Sequence, residues 1–192
     1  MAKAKKTMED DEIIDRSPGI GMLYGEVDTD IVAGLTHWII AENLSDNPPS
    51  LLTLLINSNG GSLSDAFCLI EIMNGSKIPV QTVALGEVCS AGLLIFMSGR
   101  PGFRVITPTC SVMSHHFSAG TGGNYHDLIN VQREFNFTNQ RIINQYKKCT
   151  GMSEEDIKTK LLPPTDVFLT PTQAIEFGLA DIIKGVGESP TE

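Results

Sequence analysis

The sequence predicts an α/β fold built on a mainly parallel sheet. Apolar runs of strand length recur along the chain, each followed by a short turn and then by apolar residues at helical spacing. The run LLTLLIN (51–57) is continuously apolar, as expected of a strand covered on both faces. The helical connections are long enough for right-handed crossovers between parallel strands. With 192 residues, 41% of them hydrophobic and 19% charged, the chain is of one-domain size and can bury a substantial core.

Residues 1–18 are polar, end in Ser17-Pro18 and read as a flexible N-terminal arm, leaving 19–192 as a single domain. GMLYGEV (21–27) is a short strand, and Asp28 or Asp30 caps a helix running through TDIVAGLTHWIIAENL. Asp46 to Ser50, with two prolines, is a loop. After the strand LLTLLIN, NSNGG (57–61) reads as a sharp turn, and SLSDAFCLIEIMNG (62–75) as a helix closed at Gly75. PVQTVALG (79–86) is a further strand and SAGLLIFMSG a further helix. FRVITP and SVMSHH (103–116) form two short strands before the glycine-rich FSAGTGG (117–123). NYHDLINVQREFNFTNQRIINQYKKCTG (124–151) is a long amphipathic helix, and SEEDIKTKL a short one capped at Ser153. TPTQAIEFG (170–178) sets Thr170 at the N-cap, Pro171 at the first helical position and Gly178 just past the end. Tandem repeats and low-complexity tracts are absent from the sequence.

A net charge of −9 argues against binding nucleic acid or an anionic membrane surface, both of which require basic patches. The opening MAKAKKTMEDDE has no apolar core of a secretory signal, and no apolar run reaches the length of a membrane span. A cytoplasmic protein is therefore expected. The four cysteines are scattered, with no C-x-x-C pair and no histidine at ligand spacing, which argues against a structural zinc. Cys68, Cys89 and Cys149 read as reduced, buried thiols.

Ser90, in GEVCSAGLLIFMSG (86–99), has an ordinary explanation as a helix cap. The frame V-C-S-A-G does not match the G-x-S-x-G nucleophile elbow. A strand-to-helix turn nevertheless places this hydroxyl at the positive end of a helix, where N–H groups point outward. The backbone N–H groups of Gly61 and Ala91 are candidate oxyanion donors, each worth about 3–4 kcal/mol in a transition state. For a base, His115 and His116 end a strand before a glycine-rich loop, at the sheet edge where α/β sites lie. His37 beside Trp38 reads as packed or superficial, and His126 as solvated. Asp166, after two prolines and before an apolar stretch, is one of several acids that could orient a histidine.

On INSNGGS (56–62), VCSAG (88–92), VMSHH (112–116) and TDVFLTPTQAIEFGLADII (165–183), the chain resembles the Clp serine peptidase family, ClpP, from about Leu23 to Ile183. The resemblance implies a ClpP/crotonase-like fold of repeated strand–strand–helix units, with a protruding handle over about 117–150. It implies Ser90 as nucleophile, His115 rather than His116 as base, Asp166 as orienting acid, and Gly61 and Ala91 as oxyanion donors. It also implies a substrate strand laid along Ser118, Ala119, Gly120, Thr121, Gly122 and Gly123. No metal and no organic cofactor is implied. Two stacked heptameric rings enclosing the sites, acting on short or unfolded polypeptides, are the implied assembly.

The pattern departs from the family in several places. The arm is short and lacks the usual axial-loop pattern, and Thr53 and Leu55 stand where tyrosines commonly help to bind an AAA+ unfoldase. These features count against docking of a standard unfoldase. The SAGTGG loop reads as longer than usual, Phe117 replaces a proline, and Thr165 replaces an arginine beside the acid. Other functions compatible with the pattern are a specialised processing protease such as a virus-encoded one, a non-catalytic ring subunit, and a crotonase-like acyl-CoA enzyme.

Overall fold

The computed structural model describes residues 19–185. The expected arm, 1–18, lies outside the described residues. Strand β1 (Ile20–Val27) leads into helix α1 (Thr29–Asn43), β2 (Leu52–Gly61) into α2 (Leu63–Gly75), and β3 (Val80–Cys89) into α3 (Ala91–Met97). Strands β4 (Arg104–Ile106) and β5 (Ser111–Ser114) precede the 26-residue α4 (Tyr125–Thr150). Helix α5 (Glu154–Asp156), β6 (Val167–Leu169), α6 (Pro171–Glu176) and β7 (Ile182–Ile183) complete the order.

The sheet runs β1-β2-β3-β4-β7, all parallel, with β5 parallel to β3 and β6 antiparallel to β5. Strand β3 forks. Its first part, Thr82–Ala84, pairs with β4, and its last part, Glu87–Cys89, pairs with β5. Between them lies Gly86 at φ 56°, where a Cβ would stand 2.8 Å from Asn57 Oδ1. The fork creates a sheet edge at which a site can open.

Local chemistry sets the helix starts. Asp28 Oδ1 accepts the Ile31 N–H at 2.8 Å, and Ser62 Oγ accepts that of Asp65. Asn124 with Asp127, and Thr170 with Gln173, form reciprocal capping boxes. Gly151, at φ 72°, ends α4 in the left-handed region. All seven residues of α3 are buried, and it packs on β2, β3, α2 and α4. At about 1.5–3 kcal/mol per fully buried large apolar side chain, α3 is the firmest anchor available to whatever precedes it.

Four expectations are corrected. NSNGG does not reverse the chain: β2 continues to Gly61, with register shifts at Tyr24/Glu26 and Ile56/Ser58 absorbing the glycines. Strand β3 likewise runs past Gly86 to Cys89. The short helix after Ser153 is a three-residue α-turn that widens into a π-helical turn, Ile157–Leu161. Of the thiols, Cys89 and Cys110 are buried and Cys149 half-buried, but Cys68 is exposed, facing solvent from α2 between buried Phe67 and Leu69.

Arg104, 6% exposed, ties the far side of the core together. Its guanidinium donates to Asp181 through Nε at 2.9 Å and Nη2 at 2.5 Å, and to the carbonyls of Cys149 and Gly178. Burial alone would push the Asp181 carboxyl up. The bonds and charge of Arg104, with the N–H of Gly102, outweigh this and hold it below its ordinary range.

Candidate active site

Ser90 links β3 to α3 with φ 53° and ψ −121°. It is the one non-glycine residue at positive φ among the described residues. Such a conformation costs about 1–3 kcal/mol and persists only where the surroundings fix it. Here the Ser90 N–H donates to Met113 O at 3.0 Å, and its carbonyl accepts from Leu94 N–H at 3.1 Å. Gly60 closes over the turn: a Cβ there would lie 2.7 Å from Ser90 Cβ and 3.2 Å from Ala91 N. The Ser90 side chain makes no capping bond. Its Oγ instead lies 2.7 Å from His115 Nε2, so the ordinary cap reading does not account for it.

The antiparallel β5–β6 ladder explains how residues far apart in sequence meet. Ser114 pairs with Val167, so the next positions outward are His115 and Asp166. Asp166 Oδ1 stands 3.6 Å from His115 Nδ1, an ion-pair distance rather than a hydrogen bond. The Asp166 side chain is 57% exposed and that of His115 22%. His116 is exposed, as are His37 and His126, and none of these three hydrogen-bonds Ser90.

Two recesses meet at Ser90 and His115. One is a small hollow of about 10 Å³ lined by Leu63, Leu94, Phe117, Ile142 and Tyr146. The other is an open trough of about 520 Å³, walled by Gly61–Ser64, Phe117–Ala119 and one face of α4. Of the residues expected to contact substrate, Gly61, Ser118 and Ala119 line the trough. Gly120, Thr121, Gly122 and Gly123 are exposed in an irregular segment outside its walls. Ala91 begins α3, so its N–H is one of the helix's open first-turn donors.

Sequence reasoning passed over Gly60, Ser114 and Tyr146. Ser114 is fully buried; its Oγ donates to Leu161 O at 2.6 Å and meets Tyr146 Oη at 2.7 Å. A serine at an inward position of a strand was the available signal, because a buried hydroxyl demands partners. Burial pushes the Tyr146 hydroxyl up to about 12, against the lowering effect of Ser114. Cys89, next to Ser90, is pushed to about 11 by burial and then by the Glu87 charge, so it stays a thiol at neutral pH and does not compete as nucleophile. Among the described residues, no three His, Cys, Asp or Glu side chains gather as a metal site, and no helix is long and apolar enough to cross a membrane.

A sequence model of the Clp protease family matches residues 11–186. The chain is also 29% identical over 158 residues to the ATP-dependent Clp protease proteolytic subunit of Deinococcus radiodurans, covering 81% of this chain and 76% of the relative.

Proposed function

The chain belongs to the Clp protease family, and on that premise we propose that it is a serine endopeptidase whose catalytic line is Ser90–His115–Asp166. The observation that carries the reading is the 2.7 Å contact between His115 Nε2 and the Oγ of a serine held at positive φ. His115 takes the Ser90 proton through Nε2 as Oγ attacks the substrate carbonyl. The negative oxygen of the tetrahedral intermediate accepts from the N–H groups of Gly61 and Ala91. His115 then protonates the leaving amine, and water hydrolyses the acyl-enzyme by the same route. Asp166 keeps the Nδ1 proton on its own side and stabilises the imidazolium. An extended peptide lies in the trough along Ser118 and Ala119, with Gly120–Gly123 free to close over it.

The assembly proposed is a pair of stacked heptameric rings enclosing the sites, which restricts entry to short or unfolded polypeptides. The first half of α4 supports this. Tyr125, Leu128, Ile129 and Phe137 are all exposed there, an apolar surface of the kind a second copy covers. We extend ATP dependence, carried by the relative's name, to this chain as cooperation with an AAA+ unfoldase, through a surface altered at half-buried Thr53 and Leu55. Four free cysteines fit a reducing, cytoplasmic setting.

The test is fluorophosphonate labelling of the purified protein, read by intact mass and peptide mapping. One adduct is expected on Ser90, with none in Ser90→Ala and strongly slowed labelling in His115→Ala. Labelling elsewhere, or an unreactive Ser90 in an assembled sample, overturns the reading.

A further inference from the structure

We propose that Tyr146 sets the specificity of the site by filling the recess beside the nucleophile, so that the residue donating the scissile carbonyl must be small: glycine, alanine or serine. The inference rests on Ser90 being the nucleophile. Of the two recesses at Ser90 and His115, the trough is by far the roomier, is open and suits a backbone. The hollow is small, is lined mostly by apolar side chains and suits one side chain. Its volume of about 10 Å³ admits one water-sized group. A methyl or hydroxymethyl fits there, and an isobutyl or benzyl group does not.

Tyr146 is 2% exposed and cannot yield this space easily. The single Ser114 hydroxyl proton goes to Leu161 O at 2.6 Å, so across the 2.7 Å contact Tyr146 O–H must donate to Ser114 Oγ. The chain Tyr146–Ser114–Leu161 pins the ring from α4 to β5 and to the π-helical turn. Swinging the ring outward would leave buried hydroxyls unpaired. The other walls, Leu63, Leu94, Phe117 and Ile142, belong to α2, α3, the segment after β5 and α4, so four parts of the fold bound the hollow.

The experiment compares kcat/KM for peptides identical except for Ala, Ser, Leu or Phe before the cleaved bond, with Ser90 labelling measured on the same samples. Alanine and serine are expected to lead leucine and phenylalanine by about 10–100-fold. Tyr146→Ala should invert that order, Ile142→Ala should shift it the same way by less, and Tyr146→Phe, which keeps the ring, should leave alanine ahead. The wild-type series decides the matter even if a variant fails to fold. A labelled wild type that prefers leucine or phenylalanine sinks this inference alone, as does an unchanged Ala-to-Leu ratio in folded Tyr146→Ala. An enzyme that neither labels at Ser90 nor loses cleavage in Ser90→Ala sinks the peptidase reading and this inference with it.

Discussion

Ser90 meets His115 at 2.7 Å from a turn whose N–H and C=O are both bonded and whose next seven residues are buried. Asp166 stands 3.6 Å from the other side of the same imidazole, at the head of a three-residue strand, with more than half of its side chain in water. The contrast is physical. Backbone strain survives only in dense packing, so the strained residue sits on α3. A carboxylate is costly to bury, so it stands at the sheet edge, where solvent carries its charge. A shift of some tenths of an ångström would bring this contact to hydrogen-bond length.

The severest way to break the rigid Ser90 turn is Gly60→Ala. The new Cβ would press on Ser90 Cβ and Ala91 N at a position with φ 103°. We expect kcat to fall by about 10⁶-fold, the scale of losing the nucleophile outright, together with about 1–3 kcal/mol of stability. Labelling rates and urea melts measure both, and near-normal labelling would mean the turn is not held as described.

On the exposed side of His115, Asp166→Asn should lower kcat by about 10⁴-fold through loss of the correct imidazole tautomer. Its urea midpoint should stay where it is, because an exposed carboxylate contributes little to folding. A large drop in midpoint would show that Asp166 is structural.

Arg104 and Asp181 sharpen the comparison, being an ion pair placed inside rather than at the edge. Asp181→Ala strands a buried guanidinium and should cost about 3–5 kcal/mol in a denaturant titration. The Asp181 carboxyl is held below its ordinary value in the fold. Its stabilising contribution is therefore fully present above about pH 3.9 and is lost as pH falls through the folded value. Asp181→Asn should lack that segment of the wild-type stability curve, and parallel acid slopes in the two proteins would contradict it.

Much of this was legible in the sequence because it is local. Thr170, Pro171 and Gln173 mark the start of α6 by themselves, as Asn124, Asp127 and Gly151 bound α4. Ser90 and the pair His115 and His116 could be nominated because each sits at the boundary of a readable element, whereas Asp166 was one of several acids and only the family resemblance singled it out, with His115, as a candidate. The misreadings arise where a glycine serves tertiary contact. Gly60 and Gly61 look like a turn, yet they let β2 pass close under Ser90 and beside Val27. Gly86 looks like a strand end, yet it lets β3 exchange one partner for another. Ser114 carried a signal, a hydroxyl at an inward strand position, but its partner Tyr146 lies 32 positions away and nothing local points to it.

The forked strand has a mechanical consequence. One tine of β3 holds β4, with Arg104 and the core behind it; the other holds β5, and through it β6, His115 and Asp166. A force on the shaft of α4 reaches the second tine directly, through Tyr146 and Ser114. It reaches the first tine as well, because Arg104 on β4 donates to the Cys149 carbonyl of the same helix. Both tines therefore hang on α4, one by a buried hydroxyl pair and the other by a buried guanidinium, so a displacement of that helix is felt on both sides of the fork.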